Sequence, residues 1–565
     1  MSHRVFVFAI ILATRLAAGQ ATSSLAPPAK PATQTCTIEG KVVRTDDVPL
    51  KNVSVTALPQ QVQSAHPRPT STLSDSDGKF VLRGLDPGLY LLEAQRPNFI
   101  RQRYGQRAPG DPGVSLALSA RQHLQDMLFR LQPAAVISGR IFDDDTEPIV
   151  GVQVTALRWG YRNGHKDLLS AGAAITDDRG EYRIHQLAPG RYYLSAALAP
   201  PGSSGLALAP NIVTPNRPVA GQPTYAPTFY PGASELSGAS ALDARAGDQL
   251  QNVSFRLITT AGVRVSGSVR HSFGEPARGI GVRLTALQQQ STYGQGLHAA
   301  TAADGTFQFD SVLPGSYVLS AMSSDGERPS IGRLELQVGN AEVNRVTLFL
   351  QTASDIAGVV RIEGAELTRA FSFARNIRLV LQPQDDLAPA ITAAVSLRGR
   401  ELTFYFRNVL DGDYTLRIAG VSEDFYMSSL QIAGREALDN TVPVRGRTGP
   451  LDILIGNKPG QIEGSVLDGN DQPCSGARVV LVPEESRRKR LELFKSVTTD
   501  QYGHFILRGI MPGTYKLFAW ETIDDGAYED PEFLSAYEAL GTTVEISPKE
   551  RATRQLRLLQ PNVAE

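Results

Sequence analysis

At 565 residues the chain is too long for one hydrophobic core and suits several domains of ordinary size. Lys and Arg number 56 against 57 Asp and Glu, with no long single-sign run, which removes the electrostatic footprint of a nucleic-acid binder. Fifty-one Gly and 36 Pro, with little helical periodicity, point to many strands and turns.

Residues 1–21 read as a secretory signal: Arg4 supplies a basic start, Val5 to Ala13 an apolar run, and Ala17-Ala18-Gly19 small residues before a cut. A run of nine is too short for a membrane helix, which needs about 20 apolar residues, and no later segment comes close. The mature chain is therefore expected to have no transmembrane segment and to be periplasmic, at the cell surface or extracellular. Residues 22–35, rich in Ser, Ala and Pro, read as a flexible linker. Cys36 and Cys474 stand at opposite ends of the chain and read as two unpaired thiols.

From residue 36 one pattern recurs five times. Each copy opens on a strand with a central Gly: IEGKV (38–42), ISGRI (137–141), VSGSV (265–269), IAGVV (356–360) and IEGSV (462–466). A mid-strand Gly marks a bulge or a close backbone approach. A second alternating strand follows, as in Val53-Val55-Ala57 and Val152-Val154-Ala156. Next comes a hairpin that reads DSDGKFVLRGLDPGLYLL in the first copy and DQYGHFILRGIMPGTYKL in the fifth. Its Asp and Gly suit a tight turn, and its Pro-Gly reverses the chain before a Tyr. The fourth copy diverges: Leu402 stands at the turn Gly and Asp411 at the Pro, so its first turn must use another geometry. Each copy closes on an apolar strand, and the next opens a few residues later.

The fold class read from this is all-β: a tandem array of five seven-stranded Greek-key β-sandwich modules, prealbumin- or Ig-like, arranged end to end as a rod of limited bending. Module 1 spans 36–132, module 2 spans 133–258 with a long Pro/Gly-rich insertion at 199–247, module 3 spans 259–351, module 4 spans 352–456 and module 5 spans 457–565. The x-G-x-V strand with D-x-x-G-x-F…L-x-P-G-x-Y-x-L resembles the carboxypeptidase regulatory-like domain family, in particular its tandem-repeat secreted bacterial members. The resemblance implies a transthyretin-like sandwich, of a fold classed as carbohydrate-binding-like, that serves as an appendage in other proteins; it does not by itself imply a function.

A zinc carboxypeptidase site is not legible. None of the eight His opens an H-x-x-E, and they are spread thinly over the modules. G-x-S-x-G, phosphate-loop and dinucleotide motifs are lacking too. The chain therefore reads as no enzyme, with no cofactor and no metal. Asp75-x-Asp77-Gly78 resembles a fragment of a calcium loop, but turn chemistry accounts for it. The acidic runs Asp143-Asp144-Asp145 and Asp524 to Glu532 read as solvated loops. Related adhesin repeats carry Lys–Asn isopeptide bonds set by an acid; Glu93 stands where that acid would, and reads as a rim residue.

Two groups of aromatics fall outside the repeat pattern, Trp159 with Tyr161 and Tyr225 with Phe229 and Tyr230. They are candidates for carbohydrate contact, with Arg158, Arg162 and Asn163 as polar neighbours, or else they pin the long loop to the sandwich. Trp520 has opposite parity to Tyr515-Leu517-Ala519, which puts it on the outer face of its sheet. The functional reading is a non-catalytic exported protein with a structural, adhesive or binding role at the cell envelope or outside the cell. Its partners would be a glycan, an envelope polymer or other surface proteins, and no nucleic acid. The alternatives are a carbohydrate-binding protein using module 2 and, third, a hydrolase of unrecognised site.

Overall fold

The computed structural model describes residues 35–62, 68–198, 223–287, 296–323, 329–364, 377–384, 390–446 and 448–559. The expected signal at 1–21, the linker up to residue 34 and the first half of the insertion at 199–247 lie outside them. The described chain is overwhelmingly strand, and no described helix is long and apolar enough to cross a membrane.

Among the described residues each of the five stretches buries a sandwich core of its own, and a further apolar cluster lies on the outer face of the last. In module 1, Cys36–Arg44 lies between Lys79–Leu85, antiparallel, and His123–Leu131, parallel. A facing sheet is built on Ser54–Val62 and Gly88–Gln95, with Ser115–Leu118 on its outer side. The parity of the repeat sets this up: Ile38, Val53, Val55, Phe80, Leu82 and Leu92 all turn inward between the sheets and are buried. The parallel pairing of opening and closing strands recurs in modules 3, 4 and 5, and in module 2 the closing strand is split into Gln249–Leu250 and Phe255–Arg256. In module 3 the two sheets join into one of seven strands, because Ser330–Val338 pairs on both sides.

The mid-strand Gly marks a close approach, as expected. A Cβ on Gly40, Gly267 or Gly464 would collide with the carbonyl oxygen of Met127, Val346 or Arg554 on the closing strand, and one on Gly139 with that of Val253, between the two halves of the split strand. The Asp of each turn spends its carboxylate on its own backbone. Asp75 accepts from the N–H of Asp77 (2.9 Å) and Lys79 (2.8 Å), and Asp500 from Tyr502 (2.9 Å) and His504 (2.8 Å). Turn chemistry therefore accounts for these carboxylates. In module 4 the positive φ moves to Gly399, in a two-residue hairpin between Arg398 and Glu401, and Leu402 drops into the core.

The hydroxyl just before this turn was not legible as a determinant. Ser74, Thr176, Thr301 and Thr499 each donate to one backbone carbonyl (Leu50, Ile149, Ala277, Cys474) and accept from one N–H (Val53, Val152, Ile280, Ala477). Each thereby satisfies two main-chain groups of the segment that leads into the second strand. The Tyr after Pro-Gly likewise donates back four residues, from Tyr90 to Asp86 O and from Tyr515 to Met511 O, closing the reversal.

The modules follow one another along the chain, but the array is not an open rod. Arg107 of module 1 pairs with Glu521 of module 5 at 2.8 Å, Tyr161 of module 2 meets Phe533 of module 5, and Arg490 of module 5 donates to Met427 O of module 4 at 3.0 Å. The expectation of a rod took short connections to be straight. They are short, yet they do not hold the modules in line: at the module 2–3 joint Pro223–Ala226, in the insertion, pairs with Ile258–Ala261. The chain returns on itself so that module 5 touches modules 1, 2 and 4.

Candidate functional site

The most elaborated surface lies on module 5, in the connection between Gly513–Trp520 and Thr542–Ile546. Phe518 and Trp520 alternate with the core residues and so face outward from the sandwich. Trp520 is nevertheless wholly buried. The connection folds back over it through the short helix Pro531–Ser535, whose start is set by Pro531 and by Asp530 accepting from Glu532 N–H. Phe518 stacks on Trp520 at 5.1 Å, and Tyr537 meets its edge at 5.5 Å. The parity of Trp520 was legible; its cover was not.

The acidic run is only partly solvated, which corrects the expectation for residues 524–532. Asp525 pairs with Arg478 at 2.5 Å, Asp530 caps the helix and is buried, and burial, then the Asp525 charge, raises the Glu529 carboxyl above its usual range. The run Asp143-Asp144-Asp145 is exposed or half-buried at the surface. Among the described residues no three His, Cys, Asp or Glu side chains converge as for a metal. Glu93 lies at the rim between Arg101 and Arg103, at 3.5 and 3.6 Å.

A basic segment that sequence reading passed over, Arg487 to Arg490, clasps this surface. Arg488 donates to both oxygens of Glu538, each at 2.9 Å, and Lys516 joins them at 2.7 Å. Burial works to raise the Glu538 carboxyl, but these hydrogen bonds and charges outweigh it and hold the group below the ordinary Glu range. A depressed carboxyl contributes stability above its unfolded pKa and loses it as pH falls through the lower folded value. The near-ultraviolet circular dichroism of the aromatic cluster is therefore expected to weaken below about pH 4. Glu538→Gln should remove part of that dependence; an unchanged acid limb in the variant would refute the assignment.

The five aromatics singled out from the sequence do not form one platform. Trp159 and Tyr161 sit on the hairpin Val152–Arg162 and His165–Ile175. Trp159 is 43% exposed, with the Lys166 amine 5.6 Å from its ring centre. Tyr161 turns edge-on to Phe533 at 6.2 Å, and the hairpin tip fits module 5 because Gly164, at positive φ, has no Cβ to press on Glu529 O. Thr228–Phe229 lies on the far side of Gly190–Leu198 from the hairpin. Tyr225 and Tyr230 pack on the module 2 core, Tyr230 edge-on to Phe255 at 5.6 Å. Of the proposed polar neighbours, Arg162 lies 3.9 Å from Asp167, and Asn163 forms the tip at positive φ.

A small cleft lies between modules 1 and 5, lined by Asp111, Gly113, Gly476, Arg478, Glu521 and Ile523 among others. At about 10 Å³ it has room for a single water. Burial raises the Asp111 carboxyl above its ordinary range, although that carboxyl accepts from Ala108 N–H at 2.8 Å. The geometry here is that of a joint between modules.

Comparison with a family model agrees with the fold in two of the stretches. The model of the carboxypeptidase regulatory-like domain family matches residues 37–120 and 264–349. No curated protein matches the chain. Similar solved structures include the TIE protein of Bacillus anthracis, 11% identical, covering 72% of this chain and 68% of that one with a TM-score of 0.15. Another is GBS52, the minor pilin of Streptococcus agalactiae, 14% identical over 40% of this chain and 98% of that one, TM-score 0.21. BcpA, the major pilin of Bacillus cereus, is 10% identical over 75% of this chain and 99% of that one, TM-score 0.15. The two matched segments fall on modules 1 and 3, with their glycine-bearing opening strands, Asp/Gly turns and buried hydroxyls, and in those two stretches the chain is similar to carboxypeptidase regulatory-like domains.

Proposed function

We propose that this is a non-catalytic, exported protein with a structural or adhesive role at the cell envelope or outside the cell. The observation that carries the reading is where the repeated polar groups go. The turn carboxylates of Asp75, Asp177 and Asp500 and the hydroxyls of Ser74, Thr176, Thr301 and Thr499 are bonded to their own backbone. What the modules share is thus architecture, and what differs among them is the surface by which they dock. Purified mature chain should bind whole cells or isolated envelope polymer, begin near residues 20–22 when recovered from secreted material, and hydrolyse no peptide or glycan. Secreted material that still carries Met1, or turnover of such substrates, would sink the reading.

A second reading, carbohydrate contact on module 2, is favoured by one observation: Trp159 exposes its ring beside the Lys166 amine. An exposed indole covers the apolar face of a sugar while a nearby donor orients its hydroxyls. On this reading Trp159→Ala abolishes retention on immobilised glycan and leaves the Tm nearly unchanged. Tyr230→Ala instead lowers stability by about 2 kcal/mol or more, because that ring packs on the core beside Phe255. Glycan retention that survives Trp159→Ala would remove this reading and leave the first intact.

A further inference from the structure

The joint between modules 1 and 5 brings together residues more than 350 positions apart, and its chemistry differs from that of the other joints. In module 1, Ser115–Leu118 is an outer strand: Leu116 and Leu118 face the core, and it pairs on one side only with Gly88–Gln95. Its other side would present free main-chain groups, the feature that invites pairing with foreign strands. Gln501 of module 5 occupies that side. Its carboxamide accepts from Ala117 N–H and donates to Ala117 O, both at 3.0 Å, taking the place of a neighbouring strand's peptide group. Around it Arg107 pairs with Glu521 at 2.8 Å and donates to Ser475 O at 3.2 Å. Val114 comes up against Gly476, where a Cβ would crowd its methyl. The joint of modules 2 and 5 is aromatic by contrast, with Tyr161 on Phe533.

We propose that Gln501 and Arg107 form a latch that closes the array and blanks the open edge of module 1, and that module 1 can leave it as a unit. Module 1 continues into module 2 through the short stretch 131–135, and the latch is held by hydrogen bonds and an ion pair of partly exposed groups, which water and salt compete for. Such a contact opens more readily than one closed by the packing of aromatic rings. When it opens, the N–H and C=O of Ala117 are bared together.

The test uses the full chain and hydrogen–deuterium exchange read by mass spectrometry over 114–120. Gln501→Ala raises exchange there on any account, because it deletes the bonds themselves. Arg107→Ala touches neither bond, and on the latch it raises exchange over 114–120 severalfold, with a larger radius of gyration in solution scattering. Peptides covering Leu92 and Phe129, in the core of module 1, should exchange as in the parent. Exchange at the parental rate over 114–120 in Arg107→Ala would overturn the latch. So would equal acceleration throughout module 1, since that reports unfolding and not release.

Discussion

Gly464→Ala is expected to unfold module 5 at temperatures where the other modules remain folded. The added methyl would collide with Arg554 O on the parallel closing strand and crowd the Phe505 ring, at 3.2 Å. The obstacle is main chain locked in a ladder from Gln461 to Leu467, so it cannot rotate away. Overpacking of this kind costs about 3 kcal/mol or more, which for a module of this size lowers Tm by about 12 °C or more. Gly469→Ala is the control in the same module: nothing lies near the position of its Cβ and its φ is not in the left-handed region, so its effect should stay within about 0.5 kcal/mol. Calorimetry of the full chain reads both. A loss confined to one transition is also what a boundary near residue 456 requires, and a uniform fall across the whole profile would contradict it.

Trp520→Ala should be nearly as damaging, by a different route. It removes a ring that packs against Phe518, Phe533 and Tyr537 and leaves a cavity beneath the helix Pro531–Ser535, at a cost of about 3–5 kcal/mol. The sandwich core beneath is a separate cluster and should survive. What is lost is the cover, and with it the seat of Tyr161. Trp520→Phe should cost less than half as much, because the indole Nε1 is buried with no acceptor and no hydrogen bond is given up. Only two Trp exist in the chain, so in either variant fluorescence reports on Trp159 alone, close to the hairpin that docks on module 5. An unshifted Trp159 emission together with a small loss of stability in Trp520→Ala would show that the cover does not hold module 2.

Both substitutions act at positions that the sequence had already set apart, to different degrees. The recurrent Gly was legible as a close approach because it breaks a run of alternating apolar residues in five places, and a strand's parity fixes its faces. Trp520 was legible as outward-facing by the same rule. That it is covered was not, since the cover comes from an irregular segment with no period to read. The hydroxyls at Ser74, Thr176, Thr301 and Thr499 carried a signal, a Ser or Thr just before the turn, that passes for ordinary loop composition until its two hydrogen bonds are seen.

By itself the sequence determined the strands, the turn residues, the facing of core side chains, the divergence of module 4 and the resemblance to the carboxypeptidase regulatory-like family. Those features rest on contacts between near neighbours along the chain, or on a pattern that repeats. Only the tertiary structure decided that the array closes, that Gln501 meets Ala117, that Tyr161 seats on Phe533, and that Tyr225 and Tyr230 pack on their own module. The meetings between modules depend on how successive joints are set, by a few main-chain pairings that leave no periodic trace, and the packing of Tyr225 and Tyr230 depends on an irregular segment with no period to read. A glutamine in a turn and an alanine in a strand, 384 residues apart, hold no mark of each other until the chain has come back on itself.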